Sequence, residues 1–181
     1  YGDHRDLHLS LRRQRQMCIR DRNGEWHINI IDEIIHETNI KTDELIKRIK
    51  SKHYNVRAYY GDPAGGQAQG QSGLGDIEIF RRKGIKVDTK RDKVSRNIAS
   101  GISHVRGYIE NAAGQRFFHI DEKCTQIMKD LENYRYPEPK EGSDLKPEPV
   151  KDGYHDHGCD MIRYFFINQF PIKQYKYRTS K

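Results

Sequence analysis

Val94, Ile98, Ile102, Val105 and Ile109 fall four, four, three and four residues apart, the spacing that lines one stripe of an α-helix. Thr42 is placed to cap a second helix running to about Lys52, with Leu45, Ile46 and Ile49 on one face. Asp76 can cap a short helix through Arg82, with Ile77 and Phe80 inward and Gly84 just past its end. Cys124, Ile127, Met128, Leu131 and Tyr134 make another helical face, and His157 to Asn168 is apolar enough for a final buried helix. Between these helices, Trp26 to Ile31, Asn55 to Tyr60, Ile85 to Val87 and Phe117 to Ile120 read as strands. Strands alternating with helices predict an α/β layer architecture. Ala64 to Gly75, rich in Gly and Gln, and Tyr136 to Lys151, with four of the six prolines, are loops.

Composition narrows the class. The 181 residues carry a net charge of +7 and only 34% hydrophobic residues, so no stretch approaches the roughly 20 apolar residues of a membrane span. Cys18, Cys124 and Cys159 are too few and too scattered for a disulfide framework, which predicts a reducing, intracellular setting. Residues 1–22 show neither a helical stripe nor a strand alternation. Arg12 to Arg22 resembles a conceptual translation of the transposon-end adapter of short-read sequencing libraries, and Tyr1 to His8 resembles the flow-cell adapter before it. That resemblance marks 1–22 as an adapter-derived segment, leaving residues 23–172 as the domain and 173–181 as a basic tail. A natural basic arm that binds nucleic acid is the alternative.

Two places carry candidate chemistry. Asp62 follows a strand inside Tyr59-Tyr60-Gly61-Asp62-Pro63-Ala64-Gly65, and the C-terminal edge of a sheet is where open α/β proteins hold ligands. Gly-Asp-Pro is also ordinary turn chemistry, and that reading leads on the local pattern alone. The second is Tyr154-His155-Asp156-His157-Gly158-Cys159-Asp160-Met161-Ile162-Arg163-Tyr164. A carboxylate on a buried helix is costly unless paired, hydrogen-bonded or bound to metal. His157 and Asp160, one turn apart, can face one cation, with Asp156 behind them or acting as the helix cap. A zinc site of Cys124, His155, His157 and Cys159 has the right atoms but lacks C-x-x-C spacing.

Tyr60 to Gly65, Lys83-Gly84-Ile85, Gly101-Ile102-Ser103-His104-Val105-Arg106 and the His-x-x-Asp-x-x-Arg-Tyr of His157, Asp160, Arg163 and Tyr164 together resemble the C-terminal nuclease domain of the tailed-bacteriophage terminase large subunit. The likeness runs from about Gly24 to Pro171. It implies a ribonuclease-H-like fold, a mixed central sheet flanked by helices, presenting three acidic residues to two Mg²⁺ or Mn²⁺ ions. By this resemblance Asp62 is the second acidic ligand, Asp160 the third, and His157 a metal-proximal histidine. The first belongs on an opening strand, whose place is taken here by the adapter-like segment. Glu33 is the nearest acidic candidate, although the family's pattern sets an acidic residue there after a later strand. No G-x-x-x-x-G-K-[ST] packaging ATPase motif occurs.

The implied activity is metal-dependent cleavage of concatemeric double-stranded DNA in the host cytoplasm, weak in a fragment lacking one ligand. The implied partners are the small terminase subunit and the portal protein. Arg81, Arg82, Lys83, Lys86, Lys90, Arg91, Lys93 and Arg96 form a basic run able to track a phosphate backbone, or simply a solvated surface. Another ribonuclease-H-like nuclease, of resolvase or transposase type, and a non-catalytic DNA-binding or capsid-docking module are the competing readings.

Overall fold

The computed structural model describes residues 13–20, 23–35, 40–67, 74–89, 97–138 and 148–172. The chain is mixed α/β, with two small sheets. In the first, β2 (Trp26–Ile34) is central: it pairs antiparallel with β1 (Arg13–Arg20) and parallel with β5 (Phe118–Ile120). Its alternation buries Ile28 and Ile30 completely, because successive side chains leave a strand on opposite faces.

The strand β1 corrects the expectation that residues 1–22 carry no regular element. Strand pairing uses main-chain N–H and C=O groups, and the edge of β2 offers a row of them to any proline-free segment. Side-chain alternation is therefore a poor guide to β1, and its pairing leaves the origin of that sequence open.

The core under β2 gathers Ile28, Ile30 and Ile35 with Val105 from α3 (Ile98–Ile109), Ile127 from α4 (Thr125–Asn133), and Ile162 and Phe166 from α5 (Asp156–Gln169). Aromatic rings line its rim, with Phe166 5.6 Å from Phe118 and 4.8 Å from Tyr108 between centroids. A second core joins α1 (Thr42–Ser51) to α2 (Asp76–Arg82): Leu45, Ile46 and Ile49 meet Phe80 and Ile85. The helix α2 ends as the spacing predicts. Gly84 adopts φ +78°, Gly84 N–H donates to the Arg81 carbonyl and Ile85 N–H to that of Phe80.

Several boundaries differ from the sequence reading. The second sheet pairs β3 (Tyr59–Tyr60) in parallel with β4 (Val87–Asp88), so the strand expected from Asn55 holds only two paired residues. Ile85 is spent closing α2 and lies in the core before β4 begins. Thr42 is the first residue of α1 and gives its hydroxyl hydrogen to Asp76 Oδ1 at 2.6 Å; Lys41 occupies the cap. Asp76 likewise starts α2, with Gly75 at the cap. The stripe on α3 begins at Ile98 and turns Gly101 and Val105 inward, leaving Ile109 39% exposed; Val94 lies outside the described residues.

Candidate functional site

Asp62 stands two residues beyond Tyr60, where Gly61 N–H still bonds the Asp88 carbonyl of β4. Its Oδ1 accepts the N–H of Ala64 at 2.8 Å and its carbonyl accepts that of Gly65, starting a 3₁₀ turn over Pro63–Gly66. Proline, lacking an N–H, fits the first position of that turn. The turn-forming role expected of Gly-Asp-Pro therefore occupies one oxygen, and Oδ2 carries no hydrogen bond among the described residues.

Packing sets the end of β3 over α5. The Tyr60 hydroxyl donates to Gln169 Oε1 at 2.6 Å, and its ring meets Phe165 edge-on at 6.0 Å. Asp160 lies on the same helix, 19% exposed at its side chain, and Arg163 Nε and Nη2 both donate to its Oδ1, at 3.2 and 2.8 Å. Asp160 Oδ2 accepts no described hydrogen bond. The Arg163 side chain is 5% exposed, and its guanidinium carbon lies 4.5 Å from the Tyr164 ring centre. Burial would lower the Arg163 pKa, but the Asp160 carboxylate and Tyr164 outweigh it and hold it above its ordinary value.

Tyr164 reports on both aspartates. Burial pushes its phenol well above the ordinary value; Arg163 opposes the shift, and the carboxylates of Asp62 and Asp160 each add to it. Residues 98 positions apart in sequence thus bear on one hydroxyl.

The start of α5 is anchored from α4. Asp130, fully buried, accepts Gly158 N–H on Oδ2 at 3.1 Å. A carboxylate at a helix N-terminus faces unpaired N–H groups and the positive end of the dipole. Gly158 permits the approach: a Cβ there would overlap Asp130 Oδ2 and come within 2.6 Å of Ile127 Cδ1. Nothing in the local sequence signals that role for Asp130, which lies on the inward face of α4 among apolar residues.

His157 lies half-buried in the first turn of α5, one turn before Asp160. Asp156 is not the cap: His155 holds that position, and Asp156 is the first helical residue, 4% exposed, with Oδ1 unpartnered among the described residues. His155 is turned to Asp152, whose Oδ2 lies 2.7 Å from its Nδ1. Although burial opposes it, hydrogen bonds from His155 and from the Tyr154 and His155 N–H groups hold the Asp152 carboxyl below its ordinary value.

Burial pushes the Cys124 thiol up to about 11, with Glu33 and Asp121 adding to it, and raises Cys159 still further. The zinc reading is set aside on geometry, since Cys124, His155, His157 and Cys159 do not gather as metal ligands. Glu33 is also occupied: its two oxygens accept the N–H groups of Gln126 and Ile127, at 3.0 and 2.9 Å, capping α4 from β2. This capping role sets it aside as a stand-in for the first acidic ligand. Among the described residues no three His, Cys, Asp or Glu converge as metal ligands do.

Of the basic run, Arg81 and Arg82 both pair with Glu78, Lys83 with Asp43 and Lys86 with Asp88. All four side chains are more than half exposed, where such pairs are weak. Lys90, Arg91, Lys93 and Arg96 lie outside the described residues.

The domain is mixed α/β, with the buried helix α5 packed on α3, α4 and the end of β3. The family model described as terminase RNaseH-like domain matches residues 18–169, and the chain belongs to that family. The match begins inside the adapter-like segment and ends with α5. No curated protein and no solved structure matches the chain.

Proposed function

We propose that this domain cuts concatemeric double-stranded DNA during phage genome packaging, with Asp62 and Asp160 holding a divalent cation largely through its water and His157, one turn before Asp160, outside that inner shell. Family membership supports the nuclease class, and the observation that carries the site is that Tyr60, two residues before Asp62, is bound to Gln169 and packed on Phe165 of α5, the helix that carries Asp160. Each aspartate keeps one oxygen without a described hydrogen bond. Two carboxylates completed by water suit Mg²⁺, which keeps several waters, and a nearby imidazole makes Mn²⁺ acceptable. The donor set fits one hydrated ion; a second would need a further carboxylate.

Such a cation supplies acidity to an attacking water and neutralises charge on the leaving 3′ oxygen. The chain's own contribution is geometric: the turn at Ala64 and the Arg163 guanidinium each hold one oxygen of an aspartate, so neither carboxylate must be ordered when substrate arrives. Arg81, Arg82, Lys83, Lys90, Arg91 and Lys93 are proposed to follow the DNA backbone, with phosphates replacing the carboxylates that now pair the first three. By resemblance the small terminase subunit and portal protein are the partners, in the host cytoplasm.

The test is plasmid cleavage by a protein carrying this domain with Mn²⁺ or Mg²⁺. Asp62→Asn and Asp160→Asn should each abolish cutting, while full-rate cutting by both variants would overturn the ligand assignment.

A further inference from the structure

Asp160 is held by one residue, and that residue is itself held by a gap in another helix. Arg163 sits 4% exposed against α3, where a Cβ on Gly101 would lie 2.8 Å from its Cγ and 2.7 Å from its Cδ. Real Cβ atoms do not approach so closely, so only glycine at 101 leaves room for the arginine stem. With its stem clamped, the guanidinium presents Nε and Nη2 to Asp160 Oδ1 while lying against the Tyr164 ring. A planar fork in a fixed place orients a carboxylate in a way a flexible ammonium does not. All the described hydrogen bonds to Asp160 fall on that one oxygen.

We infer that Arg163 is a positioning residue: seated in the Gly101 notch, it holds one oxygen of Asp160 and turns the other to the cation. This rests on the function proposed above, since it assigns Arg163 a task only if Asp160 is a ligand. A bulky buried arginine is otherwise an expensive way to fill a helix interface, where an apolar side chain of similar volume serves equally well.

The experiment follows Mn²⁺ binding to the 181-residue chain by the electron paramagnetic resonance signal of free Mn²⁺, with circular dichroism as the check on folding. Replacement of an outer partner of a metal ligand costs about 10- to 100-fold in affinity. Arg163→Ala should lose at least about 10-fold while keeping the helical spectrum, and millimolar guanidinium, well below denaturing levels, should restore part of the loss. Rescue of this kind is not expected of a residue that only fills space. Arg163→Lys keeps the charge without the fork and should fall between wild type and Arg163→Ala. Should Arg163→Ala fail to fold, Arg163→Lys decides: affinity equal to wild type overturns the inference. Unchanged affinity in a folded Arg163→Ala overturns it as well and leaves the proposed function standing. Absence of Mn²⁺ binding by the wild-type chain removes the proposed function, and this inference with it.

Discussion

The core under β2 and the core between α1 and α2 both rest on isoleucines and one fully buried phenylalanine, yet their helices are joined differently. Under β2 the joints are carboxylates at helix N-termini in relay: Glu33 of β2 takes two N–H groups of α4, and Asp130 of α4 takes one of α5. Between α1 and α2 the buried joint is the Thr42 hydroxyl on Asp76, whose second oxygen is buried without a partner among the described residues, while the Lys83–Asp43 pair and the Lys50 bond to the Lys83 carbonyl are exposed. Asp130 is better satisfied than Asp76, because an N–H donor at a helix end offsets part of the cost of burying charge; Asp156, at the start of α5, keeps an unpartnered oxygen as Asp76 does. Asp160 rides on the firmly joined core. Asp62 borders the other, since its turn packs on the start of α2: a Cβ on Gly75 would meet the Gly66 carbonyl carbon at 2.9 Å.

The largest test of this contrast is Phe166→Ala. Phe166 is fully buried where α5, α3 and β5 meet, and its loss should cost about 3–5 kcal/mol in chemical denaturation. Because β3 is tied to α5 through Tyr60, the cleft should loosen with the core. Glu33→Ala breaks the first link of the relay and leaves two helix N–H groups without their acceptor. Its expected cost is about 2 kcal/mol by the same method. A loss below a few tenths would mean that water replaces Glu33 and that the relay is decorative.

Asp76→Asn is the smallest test and runs the other way. Burial raises the Asp76 pKa above the ordinary 3.8, against the pull of the Thr42 hydroxyl. Below that ordinary value both folded and unfolded states are protonated and the group is silent. As pH climbs from there toward the raised folded value the unfolded chain ionises first, so stability falls. Asparagine keeps an acceptor for Thr42 and abolishes that decline. The variant should be more stable than wild type near neutral pH and equal to it in acid, read by chemical denaturation at both pH values. Equal stability at every pH would show that the second oxygen of Asp76 is well solvated.

Much of the framework was legible along the chain. The repeats of Leu45, Ile46 and Ile49, of Ile127 and Leu131, and of the apolar run after His157 correspond to α1, α4 and α5, because a helix must hide its apolar stripe wherever it docks. Gly84 marked its turn correctly, since local backbone geometry demanded it. The two-residue strands and β1 were less legible, because pairing depends on the partner edge available and not on the pattern of the strand itself. Glu33 illustrates the limit: an acidic residue on a strand looks like chemistry until the helix it caps is seen.

Residue order alone therefore settled which segments are helical, which face each hides, and the His-x-x-Asp-x-x-Arg-Tyr and Gly-Asp-Pro signals that suggest a nuclease. These follow from interactions within a few residues, where spacing is geometry. Only the folded chain decided that the strand end before Asp62 packs on the helix that carries Asp160, that Asp130 seats α5, and that Gly101 makes room for Arg163. Those relations join residues far apart in the sequence, and they arise from close packing between elements, which no local pattern encodes.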